Sequence, residues 1–163
     1  MRDPHLAAAV QEWAGSVPGA VRKDVLWRVE AYRLGLYVCD VAWDDVTALS
    51  EDVRTRSLAD QLHRALGSIS ANVAEGYSRG GGRDRARFLE YALGSAREAR
   101  DWYIKGRRVL GEERVEAQVQ TLTSVIRLLL VMTRDQRDVH LREPAVSYGS
   151  DTSDLDMGDG AAG

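Results

Sequence analysis

A chain of 163 residues, 44% hydrophobic and 29% charged with only 3 prolines, suits one helical domain, and its lone cysteine, Cys39, excludes an intramolecular disulfide or a cysteine metal cluster. No stretch reads as a secretory leader and no apolar run approaches the ~18 residues of a membrane span, so a cytoplasmic protein with no membrane partner is expected. The net charge of −3 hides a segregation: residues 1–53 carry 5 basic and 9 acidic side chains, 54–114 carry 13 and 8, 115–144 carry 4 and 4, and 145–163 carry 0 and 4.

Asp3 before Pro4 has the form of an N-cap followed by proline at the first helical position, and Leu6, Val10 and Trp13 share one side of a short helix that GSVPG ends. Residues 1–19 are thus read as a short helix and linker. From 21 to 43 the residues Val25, Val29, Tyr32, Leu36, Cys39 and Trp43 recur at steps of four and three, predicting a first long helix with Cys39 as a small hydrophobe. DDVTALSEDVRT reads as a connector with at most one helical turn.

A second long helix is predicted over about 57–77, with Ser57 or Thr55 as its cap. Its apolar face is Leu58, Leu62, Ala65, Ile69, Val73 and Gly76. A polar row of Gln61, Arg64, Ser68, Asn72 and Glu75 runs beside it, and a third face carries the small residues Ala59, Gly67, Ser70, Ala71 and Ala74. Small residues allow close approach of another backbone, so this face predicts packing rather than solvent. The polar row has two readings. Its members bond one another, or Ser95 and Glu98 on the next helix, and set register within or between subunits, or they line a channel.

A third helix is predicted from Arg83 or Asp84 to about Leu110, buried along Phe88, Ala92, Ser95, Ala99, Trp102, Gly106 and Leu110 and widened by Leu89, Ala96 and Tyr103. Arg97 with Asp101 and Asp101 with Lys105 have the spacing of surface ion pairs. The fourth helix follows Gly111 and runs to about His140 on a stripe of Val115, Val119, Leu122, Ile126 and Leu129. In VIRLLLVM, residues 125–132, Leu128 and Val131 point away from that stripe and ask for a second partner, hence an oligomer. The domain is placed at 20–143, and residues 144–163, acidic and rich in Gly and Ser, are expected to be a disordered tail.

These residues carry a family resemblance. Leu58, Gln61, Arg64, Ala65, Ser68, Ile69, Ala71, Asn72, Ala74, Glu75, Gly76 and Arg79, followed by Asp84, Arg87, Phe88, Leu89, Ala92, Gly94, Ser95 and Glu98, make a pattern similar to that of the bacterial ribosomal RNA intervening-sequence proteins. That family includes the accessory variability determinants of diversity-generating retroelements. The resemblance implies an all-α fold, an antiparallel up-down four-helix bundle assembling as a ring-like homopentamer. It also implies, from the retroelement accessories, binding to RNA or DNA and to a reverse transcriptase. Those accessories are strongly basic, whereas residues 1–144 here hold 22 basic against 21 acidic side chains, so a nucleic-acid site rests on local clustering.

The cluster is RGGGRDRAR, residues 79–87, where Arg79, Arg83, Arg85 and Arg87 surround a glycine turn into a helix; Lys105 and Arg108 extend the candidate set. It lacks the Gly-Lys-Ser/Thr ending of a nucleotide-binding loop, and a solvated hairpin is the plainer alternative. No catalytic residue, cofactor or metal site is predicted. Only Asp60-x-x-His63 approaches a di-iron element, the other histidines being His5 and His140, and no side chain is paired as nucleophile and base. The expected function is a non-enzymatic oligomeric accessory of nucleic acid or of a nucleic-acid enzyme; the alternative is a scaffold that binds protein only.

Overall fold

The computed structural model describes residues 4–142, with side-chain surroundings to residue 137. Among these residues there are helices and no strand: α1 (Pro4–Ala14), α2 (Gly19–Lys23), a 3-10 turn (Val25–Arg28), α3 (Glu30–Val41), α4 (Trp43–Glu51), α5 (Arg56–Tyr77), α6 (Gly82–Leu110) and α7 (Glu112–Arg142). The acidic tail expected over 144–163 lies outside the described residues.

Three long helices fall where the apolar periodicity put them. α5 buries Leu62, Leu66, Ile69 and Val73, α6 buries Leu89, Ala92, Ala96, Ala99 and Tyr103, and α7 buries Val115, Leu122, Val125 and Leu129. α6 packs against both α5 and α7, α3 against α5 and α7, and α4 against α5 and α6, so one core is shared by all of them. Gly111, the single residue between α6 and α7, has φ 84°, a backbone open to glycine at little cost.

The first long helix differs from its sequence reading. Asp24 is extended and its carboxylate accepts the Leu26 amide at 2.8 Å, Val29 is extended too, and the helical run divides into α2, the 3-10 turn and α3. An Asp side chain that bonds the backbone two residues on competes with continuing helix, which is why an intact periodicity did not yield an intact helix. The face also shifts. Val25 and Trp43 of the expected stripe are 51% and 68% exposed, while Ala31, Leu34, Gly35, Val38 and Ala42 are buried. Beside a polar row of Glu30, Arg33 and Asp40, α3 carries two neighbouring apolar stripes, and the choice between them fell to the one bearing Gly35. A Cβ there would stand 3.0 Å from Ile69 Cγ2 and 3.1 Å from the Ser70 amide nitrogen, so only glycine lets α3 and α5 approach this closely.

The expected connector is helix α4. Asp44 and Asp45 in its first turn suit the positive end of a helix, and Leu49 is buried against Gly106 of α6, whose added Cβ would meet Leu49 Cδ2 at 3.0 Å. Thr55 sits at the cap position of α5 without capping it; its hydroxyl donates to the Leu49 carbonyl at 2.7 Å and ties the α4 end to the α5 start.

α1 packs on α3 and faces α7 across the hollows between them. Leu6 and Val10 pack against the core edge, and Trp13 Nε1 donates to Asp40 Oδ2 at 2.7 Å. The Trp13 ring stacks on Trp27 at 6.1 Å and meets Tyr37 edge-on at 5.5 Å. This revises the reading of the α7 girdle. Leu128 is half-buried in the hollow beside α1, whereas Leu130 and Val131 stay 45% and 49% exposed. By length and composition α7 is apolar enough to cross a membrane, a property the uninterrupted-run criterion passed over. Its core-facing stripe is nevertheless packed inside the protein.

Candidate nucleic-acid interface

The link from α5 to α6 is tight. A Cβ at Gly76 would lie 3.0 Å from Phe88 Cβ, so glycine at the end of α5 sets the start of α6 directly against it. Four arginines surround this hairpin. The Arg79 and Arg87 guanidinium carbons lie 4.9 and 5.6 Å from the Phe88 ring centroid, and Arg85 Nε donates to the Arg79 carbonyl at 2.7 Å. Arg83 is exposed. Phe88 meets Tyr91 edge-on at 5.8 Å, and Tyr91 and Tyr77 present exposed rings beside the cluster.

Carboxylates temper this positive end. Glu75 of α5 pairs with Arg79 just past the helix end, Asp84 lies 3.8 Å from Arg87, and Glu90 binds Arg137 of α7. α6 begins after Gly81 with no side chain capping its first amides, so the helix dipole adds to the arginines. Lys105 and Arg108 do not join this site. They lie twenty residues further along the same helix, about 30 Å at the ordinary rise, and Lys105 is held by Asp101 at 2.5 Å over the Trp102 ring. The Asp101–Lys105 pair was expected; Arg97 makes no ion pair with Asp101 among those found between described residues.

The polar row of α5 bonds locally. Arg64 donates to Gln61 at 2.9 Å and approaches Asp60 at 3.7 Å, Asn72 donates to the Ser68 carbonyl at 2.8 Å, and Glu75 takes Arg79. On α6, Ser95 donates to the Tyr91 carbonyl at 3.0 Å and Glu98 accepts from Trp102 Nε1 at 3.2 Å. The Arg64–Ser68, Asn72–Glu75 and cross-helix side-chain bonds expected to set register are not among the bonds found within the chain, where Arg64, Asn72 and Glu75 bond groups three or four residues away instead.

The small-residue face divides. Ala59 and Ser70 are buried in the chain's own core, Gly67 and Ala74 are half-buried, and Ala71 is exposed. A Cβ added at Gly67, or at Gly94 of α6, would meet nothing within 4 Å. His63 is exposed and lies edge-on to Trp43 at 6.3 Å. Cys39 is half-buried, its thiol pushed up by burial and then by Asp40, away from the range of a reactive thiolate.

One constellation went unread in the sequence. Asp45, 5% exposed, accepts from Tyr103 Oη at 2.9 Å, Arg114 Nε at 2.7 Å and Gln118 Nε2 at 3.3 Å, and Arg114 Nη2 donates to the Val41 carbonyl at 2.6 Å. Burial and then the Asp45 charge raise the Tyr103 phenol well above its ordinary range. The network joins α3, α4, α6 and α7. Its one sequence signal is Arg114, Gln118 and Thr121, polar groups at steps of four and three along the buried side of α7.

The family model described as 23S rRNA-intervening sequence protein matches residues 30–130, from the first residue of α3 to past the middle of α7. A solved structure of a protein with unknown function from the S23 ribosomal protein family of Bacteroides thetaiotaomicron has a similar fold, with a TM-score of 0.60 and 21% identity. That match covers 64% of this chain and 98% of that one, and at this identity it speaks for the fold alone. No curated protein matches the chain. With α3 to α7 matched over well more than half of its length, the chain belongs to the 23S rRNA-intervening sequence protein family.

Proposed function

We propose that this protein is a non-enzymatic accessory of nucleic acid: an antiparallel four-helix bundle, assembled as a ring of identical subunits, that presents its arginine hairpins to RNA or DNA. The family resemblance suggests five subunits and a reverse transcriptase as a further partner. The observation that carries the reading is the grouping of Arg79, Arg83, Arg85 and Arg87 on one hairpin, with two guanidinium groups over Phe88 and two exposed tyrosines beside them. Arginines supply phosphate contacts, and exposed aromatic rings supply stacking surfaces for unpaired bases. In a ring, several such weak clusters on one rim add through effective concentration.

Assembly is supported by Gly67 and Gly94. Glycine inside a helix costs about 1 kcal/mol relative to alanine, and at neither position does the chain's own packing require its small size. A close neighbour from another subunit gives that cost a reason, and exposed Leu130 and Val131 give it an apolar surface. The test is fluorescence anisotropy of labelled structured RNA and duplex DNA at two salt concentrations. Binding that weakens steeply with salt and disappears in the Arg83→Ala, Arg85→Ala, Arg87→Ala triple variant is expected. Absence of binding at low salt removes the reading. It would leave a protein-only scaffold, which the carboxylates engaged with Arg79 and Arg87 favour.

A further inference from the structure

Beneath α1 lies a cavity of about 430 Å³ between that helix, α3 and α7, inside the size range of small-molecule sites. Part of its lining is apolar, from Leu6 and Val10 of α1, Trp27, Leu34 of α3 and Leu128 of α7. Part is polar and cationic. Arg33 of α3 and Arg127 of α7 both line it, against one carboxylate, Glu30, and the Ser124 hydroxyl is also there. Arg33 Nε is buried and has no hydrogen-bond partner. A buried donor on a charged group left unsatisfied is costly, so one of the two arginines that line the cavity has an unmet need for an acceptor.

We infer that this cavity is a binding site for a small amphipathic organic anion, whose carboxylate or sulfonate sits on Arg33 and Arg127 and whose apolar body lies along Leu34, Trp27 and Leu128. The excess of guanidinium over carboxylate selects an anion. The apolar lining selects an aliphatic or aromatic body over a bare inorganic ion. α1 is built as a cover: none of its residues is fully buried, and a second hollow of about 570 Å³ shares Leu6, Ser124 and Arg127 with the first. The Trp13–Asp40 hydrogen bond and the Trp13–Trp27 stack hold its far end down. Leu6, Val10 and Trp27 precede residue 30, so three of these five apolar lining residues come from outside the part of the chain that the family model matches. The inference is independent of nucleic-acid binding.

Calorimetric titration of the full chain with octanoate, octylammonium and octanol separates head-group from tail recognition. The expected result is one octanoate per chain, at least tenfold weaker octanol, and no octylammonium binding. Arg33→Met and Arg127→Met, which keep the aliphatic stem and remove the charge, should each weaken octanoate at least tenfold, while Arg108→Met on the far end of α6 leaves it unchanged. Thermal melting reports folding of each variant. If Arg33→Met fails to fold, Arg127→Met, on an exposed position, still decides the matter. No saturable octanoate binding, equal binding of octanol or octylammonium, or full affinity in the arginine variants overturns the inference.

Discussion

The molecule has two polar regions that behave oppositely. The α5 row of Gln61, Arg64, Ser68, Asn72 and Glu75 is conspicuous in sequence, yet its bonds run to groups only three or four residues away. The Asp45 network is inconspicuous, in a stretch read as a connector, yet it joins residues as far apart as 73 positions and is buried. Regular spacing on a helix is thus enough for local partners to form. Long-range polar contacts need complementary groups brought together by packing, and at a buried carboxylate they are obligatory because water is excluded.

The contrast breaks most visibly at Asp45. Asp45→Ala removes the acceptor of Tyr103, Arg114 and Gln118 and is expected to cost about 3 kcal/mol, the low end for a broken buried pair because Arg114 is partly solvated. Urea denaturation measures it, and a cost below 1 kcal/mol would class the network with the exposed row. Tyr103→Phe leaves Asp45 its Arg114 and Gln118 bonds, so a loss of about 1 kcal/mol in the same assay is expected.

Arg64→Ala and Asn72→Ala should each change stability by no more than about 0.5 kcal/mol, as exposed local pairs do. Native mass spectrometry sharpens this case: if the row serves contacts between subunits, the same variants lower the assembled mass while leaving the fold intact. The smallest effect lies at Asp52, whose carboxyl the Arg54 side chain and then its backbone amide hold down at about 2. With the folded value depressed, the Asp52–Arg54 pair is present above the usual carboxylate range and is lost only as pH falls toward 2. A carboxyl-carbon NMR titration checks the midpoint, and Arg54→Ala should return it toward 3.8.

Legibility followed the strength of local signals. α5, α6 and α7 were readable to within a residue or two because long apolar stripes and Gly111 mark them without reference to the rest of the fold. α3 was half readable, since its helical character followed from periodicity while its buried face was decided by Gly35 against Ile69 and Ser70. The arginine hairpin was visible as composition. That Arg79 and Arg87 share Phe88 while Lys105 and Arg108 stand a helix length away depended on where α6 begins.

By itself the sequence determined an all-helical chain, the extents of its three long helices, its family and the position of its charge, all of which follow from interactions within a few residues or from composition. Tertiary structure alone decided which face of α3 is buried, that the 44–55 segment is mostly a packed helix, that α1 closes a cavity over Arg33 and Arg127, and that Asp45 lies at the junction of four helices. These last depend on shape and on the need of buried polar groups for partners, which arise only when distant segments meet.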